Sequence, residues 1–177
     1  PPVNPQLSNT SSLRGNATGE NVVRPNATAV DTTNNRIFIT ALLTPYVALY
    51  DTALGQLTGT LDSGFPLPGE KTPYVAPGGT ALYVVDKNTA TLARIDIATN
   101  MVTATTPIDV SFVDLAVDNA NNTLYIARTS SPGLLLLNAT TLAQTSTTTA
   151  VDGVVGDLEF DADGNRLFVL DTAQENT

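Results

Sequence analysis

The chain has 177 residues and a formal net charge of −9, so it is long enough for one hydrophobic core and poorly suited to bind nucleic acid. Apolar residues make up 42% of it and charged residues only 14%, with Thr, Ser and Asn supplying much of the polar surface. Cys and His are absent, which excludes thiolate and imidazole metal sites, a cysteine nucleophile and a serine–histidine–aspartate triad. No apolar run approaches the roughly 20 residues of a membrane-spanning helix, so we expect no membrane insertion.

A pattern of about 43 residues recurs along the chain, which we interpret as a single domain spanning residues 1–177. The predicted segments are an N-terminal half-repeat at 1–25, full repeats at 26–63, 71–108 and 113–150, and a C-terminal half-repeat at 155–177. One aromatic residue holds the same position in each of the last four segments, at spacings of 45, 42 and 43 residues: Phe38, Tyr83, Tyr125 and Phe168.

Each repeat predicts four short antiparallel strands separated by turn-forming residues. In the third repeat, the turn cluster Asp118 to Asn122 separates the strand at Leu115 to Val117 from the aromatic strand that ends at Ile126. A leucine-rich strand ending at Asn138 and a Thr-rich strand at Ala143 to Thr148 complete that unit. We therefore expect an all-β fold, a β-propeller of four four-stranded blades with the aromatic residues packed between blades.

The second repeat resembles a known repeat family most closely. Pro77 to Val85, Arg94 to Asn100 and Val102 to Pro107 are similar to the YVTN-type β-propeller repeat in their order of turn, aromatic strand, second turn and apolar strand. The resemblance implies a secreted or surface-exposed protein that acts as a scaffold or binding module, usually with more than four blades. It implies blade geometry and carries no catalytic residues.

The two ends of the chain are related by the repeat. The last repeat stops before its third strand, whereas Ser8 to Ser12 align with Ile95 to Thr99, in a third-strand region. The N-terminal half-repeat therefore predicts the two strands that the last blade lacks. Three arrangements remain open: closure within one chain, completion by the first strands of a neighbouring subunit, or a fragment of a larger propeller.

Five sequons for N-linked glycosylation occur in the chain. None has Pro in its middle position, and a sequence rich in Asn and Thr produces some sequons by chance. If the protein is extracellular, the candidate glycosylation sites are Asn9, Asn16, Asn26, Asn121 and Asn138.

Acidic residues supply weak candidates for a metal site. Asp161 and Asp163 precede a Gly turn as in a calcium loop, but no Glu stands where the closing bidentate ligand belongs. Asp114 and Asp157 occupy equivalent positions at the start of the innermost strands, where carboxylates would face the axial channel. We predict a capping or solvated role for them, and neither a metal site nor a cofactor.

The leading prediction is a non-enzymatic extracellular or cell-surface protein with a structural or interaction role. Copies of itself are the expected partners, joined into fibres or layers by exchange of blade strands. One alternative is a monomeric surface module that binds a glycan or a protein. The other is a propeller hydrolase of the lactonase kind, whose catalytic groups would be Asp114 and Asp157 with Asp109 or Glu159.

Overall fold

A computed structural model describes residues 24–65, 69–109, 111–129, 133–148 and 155–171. Every regular element in these ranges is a β-strand, and none of them contains a helix that could cross a membrane. All strand pairs are antiparallel hairpins between consecutive strands, which is the arrangement that period-two patterns and short polar turns favour.

The strands form four sheets, numbered here in chain order from sheet 1 to sheet 4. Sheet 1 contains β1 (Pro25–Asp31), β2 (Arg36–Ala41), β3 (Tyr46–Asp51) and β4 (Gln56–Asp62). Sheet 2 contains β5 (Lys71–Val75), β6 (Ala81–Asp86), β7 (Thr91–Asp96) and β8 (Met101–Pro107). Sheet 3 contains β9 (Phe112–Asp118), β10 (Thr123–Arg128), β11 (Leu134–Asn138) and β12 (Gln144–Thr148). Sheet 4 contains β13 (Val155–Asp161) and β14 (Arg166–Asp171).

Successive sheets pack face to face through separate apolar clusters. Phe38 of sheet 1 packs with Leu82 and Val84 of sheet 2, and Tyr83 of sheet 2 packs with the leucines of sheet 3. The Tyr83 hydroxyl also donates a hydrogen bond to the carbonyl oxygen of Ala139 at 2.8 Å, so this buried phenol has its polar atom satisfied. A further cluster joins sheet 3 to sheet 4.

The first hairpin of each sheet turns through a residue with positive φ. Asn35, Asn122 and Asn165 hold this position in sheets 1, 3 and 4, with φ of 53°, 51° and 49°. Asn tolerates the left-handed region better than other side chains, which explains why the turn clusters of the sequence predict these hairpins. Sheet 2 uses Gly78 and Gly79 instead.

The all-β fold is confirmed, with three sheets of four strands and a fourth of two. The two further strands predicted for the last sheet fall on residues 1–23, which lie outside the described residues. Completion of sheet 4 by the N-terminal half-repeat, the choice between closure in one chain and between chains, and the domain bounds all stay predictions.

Candidate functional site

The innermost strands of all four sheets line one axial cavity. Its volume is about 440 Å³, and its walls carry side chains from β1, β5, β9 and β13. Polar groups on these walls include Thr28, Thr72, Tyr74, Asp114 and Glu159. The first strand of each sheet is an edge strand, and β1 contacts β5 as β9 contacts β13, so these edges gather around the cavity.

Two of the predicted acidic residues meet beside this cavity. The Asp114 carboxyl group hydrogen bonds with that of Asp157 on the next sheet. The backbone N–H of Leu158 donates to Asp114 Oδ2 at 2.8 Å and to Asp157 Oδ1 at 3.1 Å. Burial raises the pKa of Asp114, and the hydrogen bond with Asp157 raises it further. Asp114 therefore retains its proton to higher pH than an isolated carboxyl group does.

Tyr74 extends this acidic pair toward sheet 2. Its hydroxyl lies near the Asp114 carboxyl group, and its ring lies edge-on to Phe112 with 6.2 Å between centroids. Burial raises the pKa of Tyr74, and the nearby carboxylates of Asp114 and Asp157 raise it further, so the phenol stays protonated. The repeat pattern assigns the strand tyrosines to packing and gives no signal of this contact, which depends on how β5 and β9 are staggered.

The carboxyl groups occupy only one side of the axis. By strand register the equivalent positions of sheets 1 and 2 are Ala27 and Thr72, each of which pairs with the residue two places after the repeat aromatic, as Asp114 and Asp157 do. In the part of the chain that the structure describes, no group of three or more acidic residues is arranged to hold a metal ion. Glu159 lines the cavity, whereas Asp109 lies in the loop before β9 and accepts a hydrogen bond from the Ser111 N–H at 2.8 Å.

The other weak metal candidates already have partners within their own turn. Asp161 Oδ1 accepts from the Gly164 N–H at 3.0 Å, and Asp161 Oδ2 accepts from Arg166 at 2.9 Å. These hydrogen bonds hold the pKa of Asp161 below its usual value despite a small opposing effect of burial. Asp163 is exposed in the same turn. A cation here would have to displace a guanidinium from Asp161.

The described sequons lie at the surface or at strand ends. Asn26 is in β1, and its Nδ2 donates to the Lys71 carbonyl oxygen at 2.8 Å. Asn121 is exposed in the β9–β10 turn and Asn138 ends β11. Asn9 and Asn16 lie outside the described residues.

A second feature is the surface at the end of the sheet series. We define the sheet-4 outer face by Arg166, Phe168 and Leu170, which are exposed on the side of sheet 4 opposite sheet 3. Within the described ranges, β14 pairs with β13 alone, so its other edge carries no third strand. The expected packing of the repeat aromatics between sheets is observed for Phe38 and Tyr83 and not for Phe168.

Comparison with protein-family models and with curated proteins gives no match. Solved structures do resemble the chain. Hydrazine synthase of Kuenenia stuttgartiensis superposes with a TM-score of 0.69 at 17% identity, over 92% of this chain and 46% of that one. Dihydro-heme d1 dehydrogenase NirN, in complex with DHE, gives 0.63 at 17% identity, over 81% and 31%. The computationally designed Ika4 protein gives 0.60 at 14% identity, over 86% and 93%.

The chain has a β-propeller fold. At these identities the likeness shows the architecture alone, and the YVTN repeat type stays a prediction. The chain spans less than half the length of hydrazine synthase and of NirN. In this propeller, sheets 1 to 3 each correspond to a blade. The two described strands of sheet 4 correspond to the inner half of a fourth blade.

Proposed function

We propose that this propeller is a non-catalytic structural and interaction protein that assembles with copies of itself by completing its last blade between chains. One observation carries the proposal: within the described residues, sheet 4 has two strands where the other sheets have four, and β14 has an unpaired edge. An unpaired strand edge is a template for another strand, and strand addition is a common mode of assembly.

The N-terminal half-repeat is the proposed occupant of that edge. Residues 6–23 offer 18 residues, enough for two strands of the length found in the other sheets. Their alignment with the third- and fourth-strand region of sheet 2 continues without a gap into β1. A neighbouring subunit that donates these strands would leave its own sheet 1 as the next blade in the series.

Light scattering after size-exclusion chromatography tests this proposal, with negative-stain imaging of the same fractions. The full chain should form rings or fibres, and a variant lacking residues 1–18 should not. A synthetic peptide of residues 6–23 in excess should block assembly, while a scrambled peptide of the same composition should not. A full chain that stays monomeric, or a deletion variant that assembles equally well, contradicts the proposal.

The same proposal includes an extracellular or cell-surface location, supported by the Thr-rich, weakly charged composition and by the sequons. Secretion from a eukaryotic host followed by intact-mass measurement tests whether the sequons are used. The substitution Asn121→Gln should remove one glycan mass if that exposed turn is modified. An unmodified secreted chain would contradict the glycoprotein part of the proposal.

The axial cavity favours a second candidate function, a module that binds a hydroxyl-rich or cationic ligand. Asp114, Asp157 and Tyr74 together present hydrogen-bond donors and acceptors beside a cavity of about 440 Å³. Calorimetric titration with neutral oligosaccharides and with calcium chloride tests it, using Asp114→Asn as the matched variant. Stoichiometric calcium binding with turnover of a lactone would contradict the non-catalytic assignment itself.

A further inference from the structure

The sheet-4 outer face repeats a surface that is buried elsewhere in the same molecule. Arg166 and Phe168 occupy the repeat positions of Arg36 and Phe38, and Leu170 occupies that of Thr40. In both sheets the arginine forms an ion pair with the aspartate that ends the first strand, at 2.7 Å in sheet 1 and 2.9 Å in sheet 4. In both it also lies over the aromatic ring, 5.7 Å and 5.5 Å from the centroid.

In sheet 1 this surface is covered by sheet 2. Phe38 is fully buried against Leu82 and Val84, and Thr40 donates to the Lys71 carbonyl oxygen at 2.7 Å. Arg36 donates to the Gly79 carbonyl oxygen at 3.0 Å, and its side chain is 21% exposed. We call this packing of sheet 1 on sheet 2 junction 1–2. It shows which kind of surface covers the arginine–aromatic face in this molecule.

In sheet 4 the same surface lies open. The exposed fractions are 66% for the Arg166 side chain, 54% for Phe168 and 58% for Leu170. The core clusters among the described residues join sheets 1 to 2, 2 to 3 and 3 to 4, and none joins sheet 4 to sheet 1. Exposure of these apolar side chains to water carries a free-energy cost. The equivalent Phe38 side chain avoids that cost because it is buried in junction 1–2.

Sheet 1 carries the complementary surface on its other side. We define the sheet-1 outer face by Val30, Ile37 and Ile39, which hold the repeat positions of Val75, Leu82 and Val84. Leu82 and Val84 form the side of sheet 2 that receives Phe38, and Val75 packs against the same cluster. Val30 remains 55% exposed. The chain thus has two open faces that match the two sides of junction 1–2. The sheet-4 outer face matches the side contributed by sheet 1, and the sheet-1 outer face matches the side contributed by sheet 2.

We propose that the sheet-4 outer face of one chain packs on the sheet-1 outer face of a second copy, in the manner of junction 1–2. This inference rests on the proposed self-assembly and names its second surface, a contact of blade faces in addition to the exchange of strands. Closure within one chain would bury Val30, Phe168 and Leu170, and all three are more than half exposed in the single chain. The contact is heterologous, so its repetition builds a ring or a fibre according to the rotation between successive copies.

One residue makes the new junction differ from its template. Asn34 stands in sheet 1 where sheet 2 has Gly79, and a Cβ at Gly79 would overlap the Asp31 carboxylate. The turn of sheet 1 therefore cannot approach Asp161 as closely as Gly79 approaches Asp31. The closest approach in the proposed junction is therefore at its apolar part, where Phe168 would join Val30 in one cluster as Phe38 does with Val75 in junction 1–2.

Charge substitution on the apolar part tests the junction. The double variant Phe168→Glu with Leu170→Glu should weaken assembly about tenfold or more, since buried aromatic and aliphatic anchors dominate such interfaces. The matched control is Leu54→Glu with Met101→Glu, which changes two equally exposed apolar residues away from both faces. The control should assemble like the parent chain. Parent-like assembly of the Phe168 and Leu170 variant would overturn the proposal.

Cross-linking gives a test that does not depend on the stability of that variant. The chain has no Cys, so Val30→Cys and Phe168→Cys each introduce a single reactive thiol. A mixture of the two variants treated with a short bis-maleimide should give a covalent dimer, and each variant alone should not. Absence of the mixed product in fractions that contain assemblies would overturn the proposal.

The two experiments separate this contact from strand exchange. If removal of residues 1–18 abolishes assembly while the mixed thiols fail to cross-link in the full-length assemblies, strand exchange stands and the face contact is wrong. If the thiols cross-link and the deletion has no effect on assembly, the face contact stands and strand exchange is wrong.

Discussion

Asp114 and Asp157 hydrogen bond to each other across two successive blades, and the Leu158 N–H donates to both carboxyl groups. Tyr74 approaches the same pair from sheet 2. Two carboxylates this close cannot both ionise without repulsion, so the contact holds best when one of them is protonated. Glu159, which also lines the cavity, adds further negative charge on that side.

Stability should therefore fall as pH rises through the pKa of Asp114. That pKa is higher in the folded than in the unfolded chain, because burial and the hydrogen bond with Asp157 favour the protonated form. The folded state thus binds more protons, and the stabilisation present at acid pH is lost on ionisation. Asp114→Asn, which keeps the hydrogen bonds without the charge, should stabilise the chain at pH 7 by on the order of 1 kcal/mol, or about 2–4 °C in melting temperature.

Melting curves from pH 3.5 to pH 7.5 check this expectation. The gain from Asp114→Asn should disappear at the acid end, where the parent carboxyl is protonated. Asp163→Asn removes an exposed carboxylate in the β13–β14 turn and serves as the control, with no comparable pH-dependent gain. A constant difference between Asp114→Asn and the parent across the pH range would contradict the shared-proton account.

The sequence predicted the repeat and its turns because both depend on local chemistry. The recurring aromatic residues and the Asn residues of the turns specify strands and hairpins whatever surrounds them. The contact of Tyr74 with Asp114 and the exposure of Phe168 were not predictable in this way. Each depends on which blade lies next to a given face, and identical repeat positions become buried or exposed accordingly.

Gly79 illustrates how junction 1–2 constrains a single position. Its φ is 65°, and a Cβ there would overlap the carboxylate of Asp31 and the amide of Asn34. Gly79→Ala should therefore lower the free energy of unfolding by about 1–3 kcal/mol. Gly59→Ala is the matched control, because no atom lies within 4 Å of its added Cβ and its φ is not positive.

Urea denaturation measures both glycine variants. The loss caused by Gly79→Ala should be smaller in an Asp31→Ala background than in the parent chain, since the overlapping carboxylate is then absent. Equal effects of Gly79→Ala and Gly59→Ala would show that the close approach of the two turns is not a source of strain.

Arg36 and Arg166 offer a comparison of one ion pair in two environments. The Asp31 side chain is 2% exposed, and although burial opposes its ionisation, hydrogen bonds from Asn34 and Arg36 hold the pKa of Asp31 below its usual value. Arg36→Met leaves that carboxylate without its cation and removes the bond to Gly79, so it should cost about 2–3 kcal/mol. Arg166→Met, at an exposed pair, should cost less than about 1 kcal/mol.

Denaturation should be measured below the concentration at which the chain assembles, so that the two arginine variants report folding alone. At concentrations that support assembly, Arg166→Met should show an added loss, because the proposed junction covers its surface. Similar losses for Arg36→Met and Arg166→Met in the monomer would contradict the difference in burial.

Lys71 and Asp86 are buried residues of opposite charge on neighbouring strands of sheet 2. They face each other in the β5–β6 register, both are almost fully buried, and neither Lys71 Nζ nor Asp86 Oδ2 has a hydrogen-bond partner among the described residues. Burial lowers the pKa of Lys71, and the charge of Asp86 partly offsets this effect. Lys71→Met or Asp86→Asn alone leaves one buried charge uncompensated, so each should destabilise the chain.

The double variant should be more stable than the more damaged single variant, with a coupling free energy of about 1–3 kcal/mol. Asn at position 86 keeps the oxygen that accepts from the Asn88 N–H at 2.9 Å, so the turn itself is preserved. A double-mutant cycle by urea denaturation at pH 7 measures the coupling. Strictly additive losses would mean that the two charges do not interact across the sheet, and that each is compensated by a different group.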